Sequence, residues 1–303
     1  MPEVLSLLGA TIALRPYVFI FLAVYVLAGA VHMGWRQTLA FIPLGYGLAW
    51  ISELASIHWG FPYGDYYYIH DTMGRELWVL GVPFMDSLSY VFLSYCSYSM
   101  AIFLLSPVFF STRGCFILET RSLRRGWSTL VLGALLFVLL DIIIDPVALQ
   151  GYRWFLGQIY GYRSPGVYFG IPMSNFGGWL LVGLALVAAL QWLDRMPFLD
   201  DPASVYCRPS SWVCLAGPAL YVGVLAFNLS VTFWIGEHLL GTVGLLILFY
   251  TGLVAFFFNI YKQSRVTKTD VTAHLEDFPL SPAIGLLDSE VPETAAEEGP
   301  APQ

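Results

Sequence analysis

The sequence predicts an all-α fold: a polytopic membrane helical bundle of about seven transmembrane helices, followed by a disordered acidic C-terminal tail. Three observations predict it. Hydrophobic residues make up 57% of the 303-residue chain and charged residues 12%, against about 25% charged in a soluble domain. Apolar stretches recur at lengths that cross a bilayer, roughly 20 residues each. The net charge of −7 is concentrated at the end, where Asp270, Glu276, Asp277, Asp288, Glu290, Glu293, Glu297 and Glu298 follow the last apolar run.

The predicted spans are 16–33, 36–57, 82–110, 127–149, 173–193, 212–235 and 238–261. The last two are joined by a tight turn at Gly236 and Glu237. The start lacks the basic segment and small-residue cleavage site of a secretory signal, so it is expected to be retained. Beyond 262 hydrophobicity collapses, and Pro, Glu, Ala, Ser and Thr dominate 264–303, the composition of a disordered tail. The expected domains are thus a transmembrane unit, 1–261, and a cytoplasmic tail, 262–303.

Orientation follows from Lys and Arg. With the C-tail in the cytoplasm, Arg36, Arg113, Arg121, Arg124, Arg125, Arg195, Arg208, Lys262, Arg265 and Lys268 lie inside. Arg15, Arg75, Arg153 and Arg163 lie outside. This places the N-terminus outside, in what we read as a prokaryotic cytoplasmic membrane. Nothing forms a basic stripe, so no nucleic-acid partner is expected.

Several function classes are disfavoured. The histidines (His32, His58, His70, His238, His274) form no H-x-x-H or H-x-x-x-H pair, which argues against a di-iron hydroxylase or desaturase. The cysteines (Cys96, Cys115, Cys207, Cys214) form no C-x-x-C pair and read as small apolar fillers, so no metal site is expected. No lysine precedes Lys262, which excludes a retinal Schiff base within the spans. No Gly-rich phosphate loop opens a helix, so no nucleotide cofactor is indicated.

The chemistry is signalled by carboxylates at membrane depth. Asp141 and Asp145 interrupt the run Leu139-Leu140-Asp141-Ile142-Ile143-Ile144-Asp145-Pro146. Each costs about 2.5–3.5 kcal/mol on insertion scales, and a four-residue spacing puts both on one helix face. Two carboxyls in one dry site do not both ionise readily, so one is available as a proton donor. The competing reading makes Asp145 a helix terminator before Pro146 and pairs Asp141 with an arginine such as Arg153. Glu53, near the end of the second span, is either a second acid or base or an anchor for the tyrosine-rich loop after it. Asn175 opens the fifth span, either as a helix cap or as a group that holds Asp141 or a water. Asp86 is accounted for by the dipole at a helix start. Glu53, Asp86, Asp141, Asp145 and Asn175 all fall in the same half of the membrane. They therefore form either one site in the bundle or a set of separate helix ends. The long loops on that side, 58–81 and 150–172, carry more aromatics than an interfacial belt requires.

Four segments carry a resemblance. They are Gly60-Phe61-Pro62-Tyr63-Gly64-Asp65-Tyr66-Tyr67-Tyr68, Gly81-Val82-Pro83, Asp141-x-x-x-Asp145-Pro146, and Tyr168-Phe169-Gly170-Ile171-Pro172-x-Ser174-Asn175-Phe176-x-Gly178-Trp179. In order and spacing, over about 45–190, they resemble the carotenoid-biosynthesis integral membrane family, whose characterised members include bisanhydrobacterioruberin and γ-carotene 1,2-hydratases. This chain departs from the family in having Leu140 before the first Asp and Asp86 after Gly-Val-Pro, so no role is carried over to Asp86. The resemblance implies water addition across the terminal double bond of an acyclic, ψ-end carotenoid, without a cofactor. Asp141 is then the acid or its key partner, Glu53 and Asp145 complete the carboxyl set, and Asn175 positions water. Tyr66, Tyr68, Trp50, Tyr168, Phe169 and Trp179 are the candidates to line a groove for the polyene. The implied partners are the carotenoid, the lipid bilayer and other carotenoid enzymes. An end-group cyclase, a scaffold and a transporter are the competing functions.

Overall fold

The computed structural model describes residues 2–111, 114–199, 211–263, 265–287 and 291–293. Of the described residues, 72% are helical. It opens with α1 (Pro2–Leu14) and α2 (Pro16–His32), which meet at 93°. Pro16 suits the first helical position of α2, where no N–H donor is needed. Arg15 at the bend is buried and bridges to Glu76 at 3.0 Å, and it also donates to the Leu156 carbonyl. A buried charge is tolerated only with such a partner.

The bundle continues with α3 (Trp35–Trp59), α4 (Phe84–Leu105), α6 (Trp127–Ala148), α7 (Met173–Asp194), α8 (Ala216–Trp234) and α9 (His238–Gln263). A short α5 (Arg121–Arg124) precedes α6. Among the described residues six helices are long and apolar enough to cross a membrane, and the bent α1–α2 pair makes up to seven. Of the apolar window of α4, 72% is buried, against 6% for α9. α4 is therefore the centre of the bundle and α9 its lipid-facing edge.

α6 packs against both α4 and α7. Gly183 permits the close approach of α7, since a Cβ there would sit 2.9 Å from Phe137 and 3.4 Å from Ala134. The third predicted span ran to 110, but α4 stops at Leu105. Pro107 forces Ser106 into extended backbone, and the chain turns into a hairpin of β4 (Val108–Ser111) and β5 (Gly114–Ile117).

The loops at the other end of the bundle are tied together. β1 (Tyr66–Tyr68) pairs antiparallel with β6 (Tyr160–Tyr162), with Tyr66 opposite Tyr162 and Tyr68 opposite Tyr160. A small β2 (Trp78–Val79) and β3 (Val82–Pro83) hairpin leads into α4. Together they roof the ends of α3, α4, α6 and α7.

The expectation of a structureless stretch from 264 is corrected for the described part of it. α10 (Lys268–Asp277) begins with a capping box between Thr267 and Asp270. Val271, His274, Ala283 and Leu286 are buried beside Phe116 and Leu118. The polar composition concealed this sparse apolar face. The same end of the bundle holds a buried ion network. Arg124 bonds Glu119 at 2.9 Å and Asp194 at 3.2 Å, while Arg125 bonds Asp194 at 2.6 Å. Arg113, Cys207, Arg208, Asp288, Glu290, Glu297 and Glu298 lie outside the described residues.

Candidate functional site

α6 carries Asp141 and Asp145 one turn apart, and α7 brings Asn175 against both. The Asn175 amide nitrogen donates to Asp141 Oδ2 at 2.9 Å and to Asp145 Oδ2 at 2.7 Å. Asn175 is thus not a helix cap: Pro172 occupies that position, and the Asn175 side chain turns inward to the carboxyls. Arg153 does not neutralise Asp141 either. It reaches Glu237 and the Ile235 carbonyl on the exposed rim. Asp141 is fully buried, and its Oδ1 has no hydrogen-bond partner among the described residues. Two adjacent carboxyls with one unpaired oxygen and a shared amide form an arrangement that holds a proton between them.

Pro146 does not end α6, which runs on to Ala148. A proline inside a helix leaves the carbonyl four residues earlier without its donor. Here that carbonyl is Ile142, and the Tyr168 hydroxyl donates to it at 3.3 Å. The Asp-Pro pair and the distant Tyr168 are one structural unit.

Glu53 arrives from α3. Ser87 of α4 donates to its Oε2 at 2.5 Å. Beside it, Tyr68 donates to Asp86 Oδ2 at 2.7 Å, and Tyr162 donates to Asp145 Oδ2 at 3.2 Å. Tyr66, Tyr68 and Tyr160 have their hydroxyl pKa pushed up, first by burial and then by the nearby carboxyls. They therefore stay protonated and act as donors. Gly178 is required where the roof meets α7, since a Cβ there would lie 2.7 Å from the Pro62 carbonyl.

These groups line an open polar cavity of about 340 Å³, whose walls include Glu53, the five loop tyrosines Tyr63, Tyr66, Tyr68, Tyr160 and Tyr162, Asp86, Asp145 and Asn175. An apolar cavity of about 720 Å³ adjoins it, between α2, α4, α6 and α8. Asp86, Tyr90, Asp145, Tyr160 and Trp179 line both.

Of the residues singled out in the sequence, Glu53, Tyr66, Tyr68, Asp145, Asn175 and Trp179 meet at the polar cavity. Asp141 lies directly behind it. Trp50 points elsewhere, with its indole N–H donating to the Val79 carbonyl at 3.0 Å. Tyr168 holds Ile142, and Phe169 sits on a turn at φ 47° against the Tyr168 ring, so neither lines the cavity. Sequence reasoning counted Asp86 among the converging polar groups but gave it no role, because its position at a helix start concealed its inward contact with Tyr68. It missed the apolar cavity, whose residues read as ordinary core. Among the described residues no three His, Cys, Asp or Glu side chains gather to hold a metal ion.

The fold and site define a class: a polytopic helical membrane protein with a carboxyl cluster enclosed within one end of its bundle. The chain belongs to the family of carotenoid biosynthesis proteins, whose sequence profile matches residues 9–251. The match extends beyond the motif-bearing stretch to α1 and α9. Comparison with curated proteins gave no match, nor did comparison with solved structures.

Proposed function

We propose that the protein is a carotenoid 1,2-hydratase, adding water to the terminal trisubstituted double bond of an acyclic, ψ-end carotenoid by acid–base catalysis without a cofactor. The observation that carries this reading is the Asp141–Asn175–Asp145 cluster, placed at the wall of a polar cavity beside an apolar one. Protonating an isolated alkene demands a strong acid in a dry setting and yields a tertiary cation. Asp145, in the cavity wall, is placed to deliver the proton, and Asp141 behind it is its partner. Asn175 orients both carboxyls. Glu53, held by Ser87, and the tyrosine hydroxyls order water on the polar side.

An end-group cyclase would use the same protonation and then quench the cation with a neighbouring double bond. The tyrosine-lined polar cavity against the carboxyls favours quenching by water instead. The test is expression of the full chain in a bacterium that accumulates a ψ-end carotenoid, with an Asp141→Asn control. Hydration gives a product heavier by one water, lost or sharply reduced in the variant. A product of unchanged mass would identify cyclisation, and undiminished hydration by Asp141→Asn would sink the carboxyl mechanism.

A further inference from the structure

The apolar cavity, about 720 Å³ counting its open mouth, is concave and mostly apolar with a few polar groups at one end, the make-up of a ligand site. Its walls are flat rings. Tyr17 stacks on Phe227 at 5.5 Å, and Phe21 meets both Phe227 at 5.5 Å and Phe92 at 5.6 Å. At its inner end Tyr90 and Trp179 stack at 4.9 Å, and they face the polar cavity as well. Two carboxyls stand at that junction, Asp86 and Asp145. They are held differently. Asp145 is engaged by Asn175 and Tyr162, and through Asn175 by Asp141. Asp86 accepts from Tyr68, whose hydroxyl stays protonated. That donor holds one Asp86 oxygen in place at the junction of the two cavities.

From this juxtaposition we infer that the apolar cavity, not the surface of the tyrosine loops, holds the isoprenoid end of the polyene, and that Asp86 is the base that deprotonates the attacking water. The inference rests on the hydratase reading. The Asp145 acid gives its proton to the alkene carbon that bears hydrogen, forming a C–H bond as the π bond breaks. The positive charge develops on the dimethyl carbon, beside the Tyr90 ring at the junction of the two cavities. Water from the polar cavity forms the C–O bond, and its proton passes to the Asp86 carboxylate. One water is consumed and no electrons are gained or lost. Proton return from Asp86 to Asp145 through water in the tyrosine chamber restores the starting state. The aromatic walls accept an acyclic, methyl-branched polyene end and exclude a bulky ring.

The test uses the full chain purified in detergent from membranes containing a ψ-end carotenoid, reading retained pigment and product mass separately. Ala148→Phe and Ser89→Leu fill the cavity from opposite walls, and retained pigment is expected to fall at least about tenfold. Phe227→Ala, which removes an aromatic wall without adding bulk, is expected to lower retention too. It guards against misfolding in the filled variants, as does a monodisperse elution profile. Asp86→Asn is expected to keep its pigment and hydrate at least about 100-fold more slowly. Asp86→Glu should recover part of the rate and shift the pH profile, which a purely structural role would not do. Wild-type pigment retention in monodisperse Ala148→Phe, Ser89→Leu and Phe227→Ala would overturn the cavity assignment. Hydration by Asp86→Asn within about twofold of wild type would overturn the base. Pigment that is retained, displaced by Ala148→Phe, yet never hydrated would remove the hydratase reading and the Asp86 role while upholding the binding site. A wild-type chain that neither retains nor converts pigment would overturn both.

Discussion

The Tyr168 hydroxyl donates to the Ile142 carbonyl at 3.3 Å, the carbonyl that Pro146 leaves without a backbone donor. A loop residue thereby repairs the helix that carries both intramembrane aspartates, and it does so one residue after Asp141. Tyr168→Phe is expected to lower stability by about 0.5–1.5 kcal/mol, the usual worth of one such bond. It should leave hydration largely intact, because Tyr168 is outside the cavity wall. Thermal unfolding in detergent, alongside product analysis, checks both parts.

Asp141 and Asp145 are expected to differ in their effects. Asp145 lines both cavities, whereas Asp141 lies behind it. Asp145→Asn should reduce hydration by about 10²–10⁴-fold, the range lost with a general acid, and Asp141→Asn by less. Product-to-substrate ratios by mass spectrometry from equal amounts of membrane protein give the order. The reverse order would make Asp141 the donor.

Asn175→Leu removes the amide that spans the two carboxyls. The expected result is loss of hydration by about 100-fold or more with pigment retention preserved, since Asn175 lines the polar cavity alone. Measuring bound and converted pigment on one sample separates the two effects.

Glu76→Gln breaks the buried pair with Arg15 at the α1–α2 bend. Leaving one partner of a buried ion pair uncompensated typically costs about 3–5 kcal/mol. A large fall in detergent-resistance or melting temperature, equal with or without pigment, is the expected outcome.

The packing of α10 should weaken in acid. Burial lowers the His274 pKa from 6.5. Its Nδ1 lies 2.6 Å from the Glu119 carbonyl and its Nε2 lies 2.9 Å from Ser281. Arg124 opposes protonation and Asp277 favours it. As pH falls the unfolded segment takes up the proton first, because its histidine keeps the higher pKa. The stabilising contribution of His274 is therefore full above 6.5 and shrinks as pH falls towards the folded value. Hydrogen exchange in 268–286, corrected for its intrinsic pH dependence, should accelerate more between pH 7 and pH 5 than that of α6.

What the sequence determined by itself was the solvent and the class. Long apolar runs cannot fold as they do except with lipid around them, and that fact is local to each segment. It also singled out Asp141, Asp145, Glu53 and Asn175, because the expense of a polar group among leucines and isoleucines is legible without knowing its neighbours. Four motifs in order, one of them in α6, announced the family. Tertiary structure alone decided which of these residues share a space. Whether Asn175 capped a helix or bridged carboxyls depended on the approach of α7 to α6, which rests on Gly183 and Phe137. Asp86 looked like a dipole-stabilised helix start until β1 brought Tyr68 onto it. Trp50 and Phe169 looked like groove residues and line neither cavity, because side-chain placement is set by the turn and the neighbouring helix rather than by residue type. The apolar cavity is a gap between α2, α4, α6 and α8, and a gap between helices has no signature in any one of them.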